Sequence, residues 1–448
     1  MKRIAVLGGG ISGYGSAILA KKKGFDVFLS DMGKIADRYK AKLDEWQVPY
    51  EEGGHTEERI LAAHEVIKSP GIPETAPMVR KIRAAGIPVI SEMEFAGRYL
   101  GRSKCICITG SNGKTTTTSL VYKIMRDAGM NAALGGNIGE SFAYSVATGD
   151  YDWYVLELSS FQLDGMFRFR AHIGVLMNIT PDHLDRYGHC FQNYVDSKMR
   201  ITQNQNSRDY FVYSGDDEVI WQQLPRYDLR MKQLPFAAKN AVASGAGDAF
   251  LCDGKFTAAV GKASVEIDTA KMQLKGLHNA YNAMAAALAT LAAGVAPASI
   301  RRSIYGFAPV CHRLEPVRES GGVLWINDSK ATNVDACWYA LESMKTPTVL
   351  ILGGKDKGND YEAIAELVRK KCVGLVFLGA DNGKLHAFFD SFGIPIADTH
   401  SMKDCVEACY RMARPGDTVL LSPCCASFDL FKNMEDRGEQ FKSLVRAL

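Results

Sequence analysis

Twice the chain runs a short apolar strand straight into a glycine cluster and out into a helix: RIAVLGGGISG from Arg3 and CICITGSNGKTTTT from Cys105. That order belongs to parallel α/β sheets, where each strand needs a crossover and the strand-to-helix turn lies on the ligand-binding edge. The rest of the sequence keeps the pattern. Apolar runs at 4–7, 27–29, 66–67 and 89–90 alternate with helical stretches. The alternation restarts at 105–109, with runs at 155–158 and 173–177, and loosens into a β-leaning region over 211–267. It restarts again with runs at 323–326, 349–352, 375–378 and 419–421. At roughly 150 residues per domain, 448 residues make three. We expect three α/β domains over 1–93, 94–309 and 310–448.

Composition mainly excludes. Lys and Arg number 53 against 50 Asp and Glu, and a net charge of +3 gives no field that would seek nucleic acid. The eleven cysteines, with a vicinal pair at Cys424 and Cys425, lack zinc-knuckle spacing and read as free buried thiols of a reducing cytosol. The start, MKRIAVLGGG, breaks into glycines without a cleavage site and reads as a first strand rather than a signal peptide. Ala280 to Ala296 is interrupted by Asn282, Thr290 and Gly294, which suits a closely packed helix better than a membrane span. A cytoplasmic protein with no membrane partner is expected.

The first glycine cluster, Gly8-Gly9-Gly10-Ile11-Ser12-Gly13, is a GxGxxG that lets backbone approach a diphosphate at a helix N-terminus. Asp31 follows twenty-one residues after Gly10, where an acid can take ribose or base hydrogen bonds. A dinucleotide and a sugar nucleotide both fit this loop. In the second cluster, backbone N–H groups of Gly110, Ser111, Asn112 and Gly113 can wrap an ATP phosphate. Lys114 can supply a point charge there, and Thr115 can place a hydroxyl on magnesium, with Thr116 beside it. Ile108 stands where the usual GxxxxGK[ST] loop has its first glycine, so a family with a shorter loop is indicated. Glu157 ends a strand, where a carboxylate can hold a magnesium shared with ATP. Asn279 and Asn282, three apart on a helix, can present amides to an adenine edge. Lys198, in NYVDSKMRI, reads from its surroundings as a solvated lysine.

GSNGKTT together with GGNIG (135–139), LELSSFQL (156–163), NITPDHLDRYG (178–188), HNAYNAMAA (278–286), HRLE (312–315), NDSKATN (327–333) and LLSPCCASFDLF (420–431) resembles the Mur ligases, ATP-dependent amide-forming enzymes of peptidoglycan precursor synthesis. NDSKATN resembles the branch that adds D-glutamate to UDP-N-acetylmuramoyl-L-alanine. The resemblance implies an N-terminal Rossmann-like unit for the UDP-sugar, a central P-loop-type ATPase unit and a C-terminal Rossmann-like unit for the amino acid. It implies a monomer using ATP and two Mg²⁺ ions. Ile11, Ser12, Asp31, Gly71, Asn137 and His183 would meet the UDP substrate. Arg313, Asp328 and Lys330 would close over ATP, and Thr332, Lys357, Ser427 and Phe428 would hold D-glutamate. Lys198 would be carbamylated and, with His183, serve the second magnesium; Lys114, His183, Lys198 and Lys330 would be catalytic. Met434 and Lys355 depart from the family pattern near the glutamate pocket, whereas His189 and His278 read as structural.

Two other functions fit part of the sequence. An NAD(P)-dependent oxidoreductase would use GxGxxG and Asp31 but leaves GSNGKTT unexplained. A non-catalytic nucleotide sensor would use both loops but has no need of Glu157 and His183.

Overall fold

The computed structural model describes residues 2–238, 248–308, 311–356 and 358–448. Among them the apolar runs become strands because parallel sheets are covered on both faces, which suits continuous rather than alternating hydrophobicity. KCICIT shows this: Cys105, Ile106, Cys107, Ile108 and Thr109 are all buried. The first sheet is wholly parallel, with β1 (Arg3–Leu7), β2 (Asp26–Asp31), β3 (Tyr50–Glu52), β4 (Glu65–Lys68) and β5 (Val89–Ile90) in the order 3-2-1-4-5.

The second sheet holds β6 (Lys104–Thr109), β7 (Ala132–Gly136), β8 (Trp153–Glu157), β9 (Ile173–Leu176), β10 (Tyr210–Ser214), β11 (Lys232–Ala237), β12 (Ala249–Cys252), β13 (Lys255–Val260) and β14 (Ala263–Asp268). Its order is 14-13-12-11-10-9-6-8-7, parallel from β7 to β12 and antiparallel through β12, β13 and β14. The third contains β15 (Glu315–Ser320), β16 (Val323–Asn327), β17 (Thr348–Gly353), β18 (Cys372–Leu378), β19 (Ile396–Thr399) and β20 (Thr418–Cys424), ordered 15-16-20-17-18-19 with only β15 antiparallel.

The chain forms two compact units, one of Met1–Met272 with Asn279–Phe307, the other of Gln273–His278 with Ala308–Leu448. The first two sheets thus share a unit. One core contains Ile4 and Val6 of β1, Cys105 and Cys107 of β6, and Phe95, Phe142 and Phe169 between them. The Ala-rich segment is the helix Leu277–Ala292, with Ala283 to Ala289 fully buried, and no helix among the described residues is long and apolar enough to cross a membrane. All eleven cysteines are free thiols, but Cys190, Cys252 and Cys311 are exposed rather than buried as expected.

Each sheet reverses its strand order beside the strand that carries a sequence motif: β1 against β4, β6 against β9, and β20 between β16 and β17. Crossovers leave such a point in opposite directions and open a crevice at the carboxyl ends of the strands. Gly8, Gly110 and Asp328 each follow directly after such an end.

Candidate active site

The GxGxxG turn is shaped by contact. Gly8 has φ +92°, and a Cβ on Gly13 would lie 1.7 Å from the Gly8 carbonyl oxygen, so only glycine lets the helix Ile11–Lys22 start this close to β1. Asp31 closes the turn: one carboxylate oxygen accepts the Gly9 N–H at 2.5 Å and the other the Gly33 N–H at 2.7 Å. Ile11 is half-buried at the helix start, and Gly71, in the loop after β4, has open space where a Cβ would stand. Ser12 is buried, with its side chain beside Glu92.

The second loop is held from behind. The Asn112 N–H donates to Asn178 Oδ1 at 2.8 Å and Asn178 Nδ2 returns to the Asn112 carbonyl at 3.1 Å, while Ser111 N–H donates to the Asn178 carbonyl at 3.0 Å. Gly113 has φ +81°, and a Cβ there would stand 2.6 Å from Asn282 Oδ1. That same Oδ1 accepts from Thr117 Oγ1 at 3.2 Å, and Asn282 Nδ2 donates to Asn279 Oδ1 at 3.1 Å. Both asparagines are buried, and the Asn282 amide buttresses the loop. Lys114 Nζ donates to the carbonyls of Gly110 and Ser111 at 2.8 and 2.7 Å, folded over the space its own loop encloses. Thr115 and Thr116 are buried in the first turn of the helix Lys114–Asp127.

Lys198 is not the solvated lysine its neighbours in sequence suggest. It lies on the helix Phe191–Met199, is 2% exposed, and points its Nζ at the Gly110 carbonyl (2.9 Å) and Thr109 Oγ1 (3.4 Å). The ring of Tyr194, one helical turn earlier, lies 5.0 Å away. Burial first, and then the Lys114 charge, hold this amine well below the usual lysine range. Glu157, at the end of β8, is 1% exposed. Its Oε1 accepts from Asn137 Nδ2 at 2.8 Å, whereas its Oε2 has no hydrogen-bond partner among the described residues. Asn137 thus orients the carboxylate. His183 adopts a left-handed backbone (φ 53°), half-exposed, with its ring edge-on to Phe161 at 5.2 Å and Nε2 3.5 Å from Asp182 Oδ2.

A magnesium ion fits this arrangement by the chemistry of its donors. The orphaned Glu157 oxygen and the Thr115 hydroxyl are hard oxygen ligands beside a phosphate-binding loop, and magnesium commonly takes one or two protein oxygens and fills its octahedron with phosphates and water. Among the described residues no three His, Cys, Asp or Glu side chains converge as an all-protein metal cage.

The second unit carries its candidate residues after the carboxyl ends of β16, β17 and β20. Asp328 is buried, accepting from Ser422 Oγ at 2.9 Å and the Leu314 N–H at 3.1 Å, and burial raises its carboxyl to about 7 against the opposing Arg313 charge. The Lys330 N–H donates to the His312 carbonyl at 3.0 Å, tying NDSKATN to HRLE, and Thr332 follows in the same turn. Ser427 is buried after β20, Phe428 is 70% exposed, and Lys355 pairs through its backbone with Ala426. Lys357 lies outside the described residues. The sequence reading missed Asn178 and Arg437: Arg437 is 1% exposed and binds both Ser329 and Cys425, yet no motif spacing marks it.

Comparison with known proteins places all three regions in one group. The Mur ligase MurD-like N-terminal domain matches residues 2–91, the Mur ligase middle domain 108–290 and the Mur ligase glutamate ligase domain 312–425. The UDP-N-acetylmuramoylalanine--D-glutamate ligase of Bacteroides thetaiotaomicron is 57% identical over 451 residues, covering 100% of both chains. The protein of the same name from Porphyromonas gingivalis is 51% identical over 443 residues, covering 99% of this chain and 98% of its own. Among solved structures, UDP-N-acetylmuramate-alanine ligase from Thermotoga maritima matches at TM-score 0.62 with 18% identity, and a pseudomurein peptide ligase type C from Methanothermus fervidus at 0.64 with 19%; each match covers 100% of both chains. Those two show the shared fold.

Proposed function

The chain belongs to the Mur ligase family, and from that premise we propose that it joins D-glutamate to UDP-N-acetylmuramoyl-L-alanine, consuming ATP, in peptidoglycan precursor synthesis. The observation that carries this is the 57% identity, over the whole of both chains, to a relative bearing that activity in its name. A carboxylate does not condense with an amine because hydroxide is a poor leaving group. Transfer of the γ-phosphoryl group of ATP to the L-alanine carboxylate gives an acyl phosphate. The neutral amine of D-glutamate then attacks its carbonyl carbon, and the tetrahedral intermediate collapses with loss of phosphate to give the amide. Such chemistry rests on positioning and charge stabilisation more than on covalent help from the protein.

The residues divide that work. Residues 1–93 hold the UDP-sugar, with Gly8 to Gly13 on the diphosphate and Ile11, Asp31 and Gly71 about it. Residues 94–309 hold ATP: the loop 110–113 wraps the phosphates, and Lys114 swings from its own loop carbonyls onto them. Residues 310–448 bring D-glutamate through Thr332, Ser427, Phe428 and Lys357, while Arg313, Asp328 and Lys330 attend the nucleotide. Magnesium, when bound, offsets phosphate charge; Thr115 and Glu157 would hold one ion, and His183 with Lys198 a second.

Lys198 serves as a carbamate. Support comes from its burial and lowered basicity: the neutral amine is the form that adds carbon dioxide, making an N–C bond and releasing one proton. The product exchanges a cation for an anion with two oxygens, which a divalent metal prefers. The protein acts as a monomer in the cytoplasm. The test of function is phosphate release from ATP with UDP-N-acetylmuramoyl-L-alanine, with and without D-glutamate. Release that requires D-glutamate and yields the amide is expected; a faster rate with another amino acid would overturn the choice of substrate.

A further inference from the structure

Arg437 presents a cost without an evident return. It is 1% exposed, and its hydrogen bonds go only to neutral acceptors: Nε to Ser329 Oγ at 2.9 Å, Nη2 to the Ser329 carbonyl at 2.8 Å and Nη1 to the Cys425 carbonyl at 3.2 Å. Desolvation lowers its guanidinium to about 10, and Asp429 and Asp328 act on it only through space. A buried cation without a carboxylate partner is an expensive way to hold a fold together. It also stands in the first turn of the helix Met434–Ala447, the end of a helix that disfavours positive charge. Helix stability therefore does not account for its position.

Its partners do. Ser329 lies between Asp328 and Lys330 in NDSKATN, and Cys425 lies two residues before Ser427. Ser329 Oγ in turn donates to the Met434 carbonyl at 2.8 Å, so the planar fork, the serine and the helix start form one rigid block. Only a guanidinium can place donors on both segments with fixed geometry, because an ammonium has no fork.

We propose that Arg437 is a positioning residue that fixes the loop carrying Asp328 and Lys330 relative to the loop carrying Ser427, so that nucleotide-side and amino-acid-side groups share one frame. This rests on the proposed function for the identity of the substrates, but the fixing of the two loops does not.

The experiment therefore has two arms, both using R437K in the full-length chain. Amide hydrogen exchange, without substrates, should show faster exchange over 328–333 and 425–428 together, with 1–272 unchanged. Unchanged exchange in both segments would overturn the proposal whatever the substrate is. In steady-state kinetics KM for D-glutamate should rise by about tenfold, the size of one lost charge-assisted bond, with a lower kcat and an unaltered KM for the UDP-sugar. A variant with altered exchange but wild-type kinetic constants would overturn the functional part. Should R437K fail to fold, S329A removes one acceptor while leaving the charge and should give the same split more weakly. An equal rise in every KM would assign Arg437 to general stability. Inactivity of the wild-type protein with D-glutamate would instead strike the proposed function, leaving the exchange arm to decide on Arg437.

Discussion

At the scale of the single residue, Lys198 shows what a sequence hides. Its helix reads FQNYVDSKM, and nothing there distinguishes it from a solvated lysine; its meaning comes from Gly110 and Thr109, nearly ninety positions away. The family resemblance supplied the proposed role, and burial is the physical observation that supports it. Glu157 was more legible, because a carboxylate ending an apolar strand already falls on the ligand edge of a parallel sheet. Arginine keeps a positive charge and does not form the carbamate, so Lys198→Arg should lose about a hundredfold or more in kcat, in keeping with a metal-held charge worth several kcal/mol. Lys198→Glu, shorter but anionic, should recover part of that loss. Carbon-13 NMR with labelled bicarbonate should show a carbamate signal in the wild type and none in the arginine variant. Full activity of the arginine variant would leave the carbamate without a role.

At the scale of the element, strands buried on both faces were readable, as was the short apolar edge strand β5, whereas edge strands of polar or small residues were not. The runs in β1, β6, β17 and β20 are apolar throughout because neighbours cover both faces. The antiparallel edge strand β15, EPVRES, and the three-residue β3, YEE, carry mostly polar side chains, and β7, AALGG, is built of small residues that give no β signal. The phosphate loop was legible as a loop, but the device that shapes it, Asn178 and Asn282 behind the glycines, comes from distant segments. Gly113 carries the clearest element-scale consequence. A side chain there is strained by about 1–2 kcal/mol in the left-handed region, and its Cβ would stand 2.6 Å from Asn282 Oδ1. Gly113→Ala should lower Tm and weaken ATP binding while sparing the UDP-sugar, as calorimetry with each ligand would report. Gly10→Ala, whose Cβ would meet nothing within 4 Å, should melt close to the wild type. Equal melting of the two variants would mean that the loop adapts and that Asn282 does not brace it.

At the scale of the whole molecule, three sheets were foreseeable from one pattern and its two restarts, but the shared core of the first two was not, since periodicity says nothing about which faces meet. Glu92 lies in that shared region and ties it to pH. It is 1% exposed; Oε1 accepts from Ser141 Oγ at 2.5 Å and the Ala143 N–H at 3.0 Å, and Oε2 has no hydrogen-bond partner among the described residues. Burial outweighs those bonds and raises its carboxyl from 4.5 to about 7. The folded state therefore binds a proton that the unfolded state releases near pH 4.5. Stability from this group is full below that value and is lost as pH rises through about 7, an effect on the order of 3 kcal/mol. Other groups titrate in the same window with either sign: Asp328, raised to about 7, adds to the effect, while His172 and His278, lowered to about 4, oppose it. The informative quantity is thus the difference between variant and wild type, in which those groups cancel. Glu92→Gln mimics the protonated acid and cannot ionise, so it should melt near the wild type at about pH 5 and progressively above it towards about pH 8. A Tm difference that stays constant across that range would show that Glu92 is ionised throughout, and that the region between the first two sheets accommodates a buried charge.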